Sequence, residues 1–280
     1  MEMKEKSKDV NVRFYNVVIH PSDKHKPKFY VDLFDVIYEQ GKSYYTSNDK
    51  KTKLRGYSKL NGLIQCTLIN YTKLDDNDDW YDEAQDKVVK HETDPNIYPH
   101  AKEWDVYFMP EKHRMAVIGK KGISWPQIEK YFEKVFEDAI SVLGYDEVVL
   151  NQETSQEGID QVFGFDTIDS LEIEVSYSNN DTNDITTAAI DAEFKNNNVS
   201  KIKTKAIGSK KKPFTLNKDN SYLAGLVKLA KHNGYVKADG HIGRSRMKIN
   251  TKNYPMVKRL KAVTSMNISQ KVKDIILSLF

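Results

Sequence analysis

Two hydrophobic periods occur in this chain, and together they restrict its fold. Within residues 170–177 the apolar Leu171, Ile173 and Val175 alternate with polar residues, which is the pattern of a half-buried β-strand. Within residues 124–143 the apolar residues instead recur every three or four positions, as on the buried side of an amphipathic helix. Because both patterns recur along the chain, the sequence predicts an α+β fold.

The same patterns divide the rest of the chain into elements. Over residues 11–180 they predict a mixed sheet with helices on one face, and a smaller basic α+β module follows. Strands are predicted at residues 11–20, 62–72, 146–150, 170–177 and 201–207, and β-hairpins at 104–118 and 235–250. Helices are predicted at residues 29–40, 124–143, 185–195, 221–233, 255–263 and 268–280.

The sign of the charge changes abruptly along the chain, although the net charge is only +3. Residues 199–280 hold 19 Lys and Arg against 3 Asp and Glu, whereas residues 1–198 hold 24 against 37. Such asymmetry is typical of a polyanion-binding region beside an acidic body. Mutual attraction of the two halves is the alternative interpretation. We therefore place a boundary between an acidic body, 1–198, and a basic module, 199–280.

The basic module is the strongest functional signal, because Lys and Arg bind phosphate groups with release of counterions. Arg244, Arg246 and Lys248 occupy alternate positions of a predicted strand and so share one face, with Met247 and Ile249 facing the core. A helix followed by a basic hairpin is also the pattern of a winged-helix wing. Aromatic residues are sparse here, which favours backbone contact over base stacking. The predicted nucleic-acid-binding residues are Lys203, Lys205, Lys210, Lys211, Lys212, Arg244, Arg246, Lys248, Lys258, Arg259 and Lys261.

Four common enzyme motifs are absent from the sequence. It contains no Walker-A loop, dinucleotide-binding glycine motif, zinc-protease helix or serine-hydrolase elbow. The single cysteine, Cys66, lies in an apolar strand pattern and is interpreted as packing. It also excludes an intrachain disulfide and a cysteine zinc cluster. We predict no catalytic residue, no metal and no cofactor.

Three weaker patterns leave alternatives open. The carboxylate run at residues 75–83 is interpreted as a solvated acidic loop anchored by Trp80, with Mg²⁺ or Ca²⁺ binding as the alternative. His20 and His25 flank a loop and are interpreted as solvated or loop-capping. The third pattern loosely matches the carboxylate and lysine set of a metal-dependent nuclease. It comprises Glu193, Lys195 and Asp181 or Asp184.

Membrane and export signals are also absent from the sequence. No apolar run approaches the roughly 18 residues of a membrane helix. The first ten residues are charged and lack the apolar core of a secretory signal. These observations predict a cytoplasmic protein without membrane insertion.

Several segments resemble a family of uncharacterised bacterial and mobile-element proteins, domain-of-unknown-function family 4747. They are FYNVVIH, GLIQCTLINYTKLDDNDDWYD, KEWDVYFMPEKHRMAVIG, SWPQIEKYFEKVFE and NGYVKADG. None of them is a catalytic signature. More distantly, the length and layout are similar to the RexA phage exclusion proteins. That resemblance implies a homodimer that binds DNA with little sequence preference and acts in phage defence.

We therefore expect a non-enzymatic protein that binds nucleic acid by contacts to the phosphate backbone of the nucleic acid. DNA is expected rather than RNA. Its expected setting is phage defence, abortive infection or a mobile element. A metal-dependent nuclease effector is one alternative. The other is a protein-interaction subunit whose basic region docks on an acidic partner.

Overall fold

The computed structural model describes residues 7–74, 79–90, 96–119, 124–176, 185–209, 212–217 and 221–280. The helices are α1 (Pro27–Gln40), α2 (Trp125–Leu143), α3 (Gln156–Phe163), α4 (Ile185–Asn196), α5 (Tyr222–Asn233) and α6 (Ile268–Leu279). The strands are β1 (Lys8–His20), β2 (Ser43–Tyr45), β3 (Lys50–Leu60), β4 (Leu63–Thr72), β5 (Asp79–Asp82), β6 (Lys87–Lys90), β7 (Lys102–Met109), β8 (Arg114–Gly119), β9 (Glu147–Gln152), β10 (Thr167–Ser176), β11 (Lys201–Ile207), β12 (Gly234–Ile242), β13 (Ser245–Asn250) and β14 (Val257–Val263). The predicted α+β class is confirmed.

The larger sheet has eight strands and is organised by the long strand β1. Its order is β14-β1-β8-β7-β4-β3-β2. On one side of β1, β14 pairs with its first half and β9 with its second half. Every described strand pair in the protein is antiparallel. The sequence predicted a mixed sheet, and in strand direction that prediction is wrong.

Helices α1 and α2 cover one face of this sheet, as the sequence pattern predicts. Helix α2 begins at a capping box of Ser124 and Gln127 and ends at Gly144, whose φ of 66° suits glycine. The apolar stripe of α2 is buried, and the ring of Phe34 from α1 stacks on Phe108 of β7 at 4.6 Å. This packing supplies the largest of the three hydrophobic cores among the described residues.

The opposite face of the larger sheet is covered by α6, whose Val272 and Ile276 are fully buried against residues of β1, β7 and β8. The apolar stripe of the last helix therefore packs against the protein's own core. The helix predicted at residues 255–263 is wrong, because this segment is strand β14. Its apolar residues are three apart, and a bulge with Ala262 at φ 50° lets both Leu260 and Val263 reach the core.

The smaller sheet has the order β11-β10-β12-β13, with α3, α4 and α5 packed on one face. Gly234 allows α5 to continue directly into β12, because a Cβ there would lie 1.8 Å from the backbone oxygen of Glu174. The predicted charge boundary at residue 199 does not coincide with the sheets. Strand β10 precedes that boundary yet is internal to the smaller sheet, and β14 and α6 return to the larger one.

A buried polar network joins the two sheets. Arg114 Nε of β8 lies 2.8 Å from Glu153 Oε1, and both side chains are fully buried. The other carboxylate oxygen of Glu153 lies 2.5 Å from Nδ1 of His232 in α5. Asn16 Nδ2 of β1 donates to Asn233 Oδ1 at 2.6 Å. The relative position of the sheets thus depends on buried polar groups that bind each other in place of water.

A histidine near this junction makes stability depend on pH. Burial first, and then the neighbouring His25 and Arg114, lower the pKa of His113 from 6.5 to about 3. Between about pH 6.5 and 3, His113 is therefore protonated in the unfolded chain but neutral in the folded protein. The free energy of unfolding thus decreases as the pH falls through this window. We expect a loss of about 2 kcal/mol between pH 7 and pH 5, measured by urea unfolding.

The matched variant for this measurement is His113→Asn. Asparagine does not titrate and accepts the left-handed φ of 53° at this position. Its stability is expected to vary less between pH 7 and pH 5 than that of the parent. An unchanged pH dependence in the variant would assign the effect to other groups.

Candidate nucleic-acid interface

The smaller sheet presents one face to helices and the other to solvent. Leu171, Ile173 and Val175 of β10 point into the helix-covered core, so the alternate residues point away from it. We call the side opposite α3, α4 and α5 the outer face; no described helix covers it. Its charged side chains are Lys201, Lys203 and Lys205 of β11, Glu172 and Glu174 of β10, Lys237 and Asp239 of β12, and Arg246 and Lys248 of β13.

The carboxylates of the outer face lie between its cations. Glu172 is directly opposite Lys205 on one side and Lys237 on the other. Its Oε1 is 3.1 Å from Nζ of Lys237 and 3.4 Å from Nζ of Lys203. The hydrogen bond from Lys237 is the main reason why the pKa of Glu172 is lowered. This carboxylate therefore stays ionised and orders the lysines around it.

A second carboxylate orders the other end of the outer face. Asp239 accepts two hydrogen bonds from the guanidinium of Arg246, at 2.9 and 3.0 Å, and Lys248 Nζ lies 3.5 Å from it. The hydrogen bond from Arg246 lowers the pKa of Asp239. The bidentate geometry fixes the guanidinium plane, whereas Lys248 remains 74% exposed. Lys248 can thus turn towards a ligand at small cost.

Cations outnumber carboxylates on the outer face. Among the described residues of this face, three carboxylates stand among six Lys and Arg side chains, which leaves a positive excess. Lys205, Lys237 and Lys248 border a shallow depression of about 380 Å³ in which Glu172 and Asp239 lie. An anion that reaches the depression meets several ammonium groups at once. The arrangement can bind phosphate oxygens without a dedicated pocket.

The aromatic ring of Tyr235 lies on the outer face but is covered. It is 8% exposed, with Nζ of Lys252 at 4.3 Å and Nζ of Lys237 at 5.0 Å from the ring centre. Burial, and then the neighbouring Glu174, raise the pKa of Tyr235 to about 12. The two lysines therefore lie over the ring of Tyr235. A base could stack on this ring only if it displaced them.

The structure brings some of the predicted residues together and separates others. Lys203, Lys205, Arg246 and Lys248 share the outer face, while Arg244 lies in the turn between β12 and β13. Lys212 forms an isolated bridge with Ser209 in the loop after β11. Lys210 and Lys211 lie outside the described residues. The remaining three, Lys258, Arg259 and Lys261, belong to β14 of the larger sheet.

Sequence reasoning missed Lys201 and Lys237. Both could have been found from the alternation of strand residues. Lys201 is two positions from Lys203 and so lies on the same face, and Lys237 lies between the apolar Val236 and Ala238, which face the core. Ile249 faces the core as predicted, but Met247 is exposed because β13 is an edge strand. Strand β12 lies inside the four-stranded sheet, so this topology gives the winged-helix interpretation no support.

The structure gives no support for catalysis by Cys66 or by the nuclease-like set of carboxylates and lysine. Burial raises the pKa of the Cys66 thiol, in keeping with packing. Glu193 and Lys195 lie on helix α4, whereas Asp181 and Asp184 lie outside the described residues. No group of three His, Cys, Asp or Glu side chains in the described part of the chain is arranged for a metal ion.

Two interpretations of loops need correction. Asp79 to Asp82 form strand β5, and Trp80 is 39% exposed, so it does not anchor the loop in a core; Asp75, Asp76 and Asp78 lie outside the described residues. His20 is buried by the sheet rather than solvated. His25 does cap the loop, with Nε2 2.5 Å from the carbonyl oxygen of Ile19.

Comparison with known proteins adds a family and no activity. None of the described helices combines the length and apolar character that a membrane crossing requires. No curated protein matches the chain. Nothing in these comparisons supports the more distant similarity to RexA. Residues 8–277 match the family model described as Domain of unknown function (DUF4747), and the chain therefore belongs to that family.

Proposed function

We propose that the protein binds double-stranded DNA through the outer face of the smaller sheet, by contacts to the phosphate backbone and without catalysis. The observation that supports the proposal is the excess of cations on a sheet face that no described helix covers. The carboxylates between these cations hold them in position, so binding requires little further ordering of side chains.

Shape and chemistry favour a duplex with little sequence preference. Four strands give a face about 15 Å across, and no described helix projects from it to enter a groove. Contacts to phosphate groups carry no base sequence, and the covered ring of Tyr235 gives single-stranded bases no stacking surface. A homodimer and a role in phage defence, abortive infection or a mobile element remain predictions from the sequence resemblance.

Binding of the full chain to labelled nucleic acids, measured by fluorescence anisotropy, tests the proposal. Two unrelated DNA duplexes are expected to bind equally, and both more tightly than single-stranded DNA. Between about 50 and 200 mM salt the slope of log K against log salt is expected to be about −3 to −5, as for three to five phosphate contacts. The full chain is needed because a fragment starting at residue 199 would lack β10.

Failure to bind any nucleic acid at the lowest salt would overturn the proposal. In that case the alternative from the sequence, an acidic protein partner, would be tested next on the outer face. Tighter binding of the single strand than of the duplex would contradict the backbone-contact geometry. A preference for one duplex sequence would contradict the absence of base readout.

A further inference from the structure

Strand β9 has one edge without a described strand partner. Among the described strands it pairs with β1 alone, in a regular register from Tyr15 opposite Gln152 to His20 opposite Glu147. The amide of Glu153 donates to the carbonyl oxygen of Phe14 at 3.0 Å. In an antiparallel pair every second residue directs its N–H and C=O groups to the partner strand, so on β9 these are the odd-numbered residues. The backbone N–H and C=O groups of Val148, Leu150 and Gln152 therefore point away from β1.

This edge lines a groove between the two sheets. The groove has a volume of about 500 Å³, within the range of ligand sites. Glu129 and Glu133 of α2 line it on the side of the larger sheet, and Glu174 and Tyr235 line it on the side of the smaller one. An extended segment that lies along β9 would occupy this space. The outward groups of β9 span about 17 Å, the length of roughly five extended residues.

Two buried donors in the groove have no hydrogen-bond acceptor among the described residues. They are Nδ2 of Asn151 and Nε of Arg13. Asn151 is only 9% exposed, and buried polar groups are nearly always hydrogen-bonded. Both groups are N–H donors, so a ligand that reaches them would supply acceptors such as peptide carbonyl oxygens.

The charges of the groove distinguish the class of ligand. Four carboxylates line it, those of Glu129, Glu133, Glu147 and Glu174. Of the three cations, Lys201 lies 3.6 Å from Glu147, and Arg13 stacks over Trp125 at 4.1 Å; the third is Lys252. The excess of carboxylates disfavours a phosphate backbone and favours a basic side chain beside Glu133, which is exposed.

We propose that β9 binds an extended basic segment of a partner protein, which adds as a strand to its open edge. The strand edge supplies alternating donors and acceptors, the orphaned donors take carbonyl oxygens, and the carboxylates select lysine or arginine. A second copy of the protein does not fit, because its own β9 is recessed in the same way between helix and sheet. The proposed partner is therefore a flexible peptide segment and not a folded edge.

The probe is a library of synthetic ten-residue peptides with alternating β-branched residues and one fixed lysine, tested by fluorescence anisotropy on the full chain. The tightest peptide is expected to lose at least tenfold in affinity with Glu133→Lys. The matched control is Glu137→Lys, one turn further along α2, which is exposed and does not line the groove. It is expected to leave binding unchanged.

Backbone methylation of the peptide tests strand addition without changing the protein. Methyl groups on alternate amides are expected to abolish binding when they face β9 and to leave it unchanged when they face away. Hydrogen exchange at Val148, Leu150 and Gln152 is expected to slow on binding. Equal effects of the two methylated peptides, equal binding of a library with glutamate in place of lysine, or no peptide binding below millimolar concentration would each overturn the proposal.

Discussion

Replacing Glu153 by alanine is expected to destabilise the protein by about 3–5 kcal/mol. Arg114 is fully buried 2.8 Å from this carboxylate, and the variant removes the negative charge that balances its guanidinium in the interior. His232 also loses the carboxylate oxygen that lies 2.5 Å from its ring. Urea unfolding of the parent and the variant measures the loss, which is expected as a lower midpoint at an unchanged slope.

The control is the double variant Glu153→Leu with Arg114→Met. Removal of both charges leaves neither one buried alone, so this variant is expected to recover most of the stability that Glu153→Ala loses. Glu153→Gln keeps the shape and removes the charge, and its stability is expected to lie between those of the parent and the alanine variant. The interpretation is contradicted if Glu153→Ala costs less than about 1 kcal/mol, or if the double variant is no more stable than the single one.

Reversing two charges on the outer face is expected to weaken duplex binding by about a hundredfold at low salt. The variant is Lys205→Glu with Lys248→Glu. Each lysine that contacts a phosphate contributes about 0.9 to the slope of log K against log salt, so the slope is expected to decrease in magnitude by about 2. Anisotropy titrations of one DNA duplex over the same salt series give both quantities.

The matched control reverses the same number of charges elsewhere. Lys258 and Lys261 lie on β14 in the larger sheet and are exposed, so Lys258→Glu with Lys261→Glu changes the net charge equally. This variant is expected to weaken binding less than threefold. Equal losses in the two double variants would show that overall charge, and not the outer face, governs the affinity.

Local signals account for the elements that the sequence predicted well. Helix α2 carries its capping box, its apolar stripe and its terminal glycine within twenty-one consecutive residues, so no distant contact is needed to define it. The alternation in β10 similarly identified Leu171, Ile173 and Val175 as core residues. Helix α3 and strands β2 and β3 were missed, because their few apolar residues follow neither period over enough positions.

The candidate site was predicted only in part, since a charged residue carries no signal of where its strand will be placed. Lys203 and Lys248 are forty-five positions apart in sequence and share the outer face. Lys258 follows Lys248 by ten positions and lies on the other sheet, because β14 completes the edge of β1. The groove along β9 was not foreseen, since Arg13, Glu133, Asn151 and Lys201 come together only in the folded chain.

The sequence by itself determined the α+β class, the ends of the capped helices and the concentration of positive charge after residue 199. These properties depend on neighbours within one or two turns of chain, or on composition alone. The tertiary structure decided that β14 is a strand, that β10 pairs with β11 and β12, and that Arg114 meets Glu153 in the interior. Those outcomes depend on contacts between residues far apart in sequence, and their free energy is gained only when both sides are present.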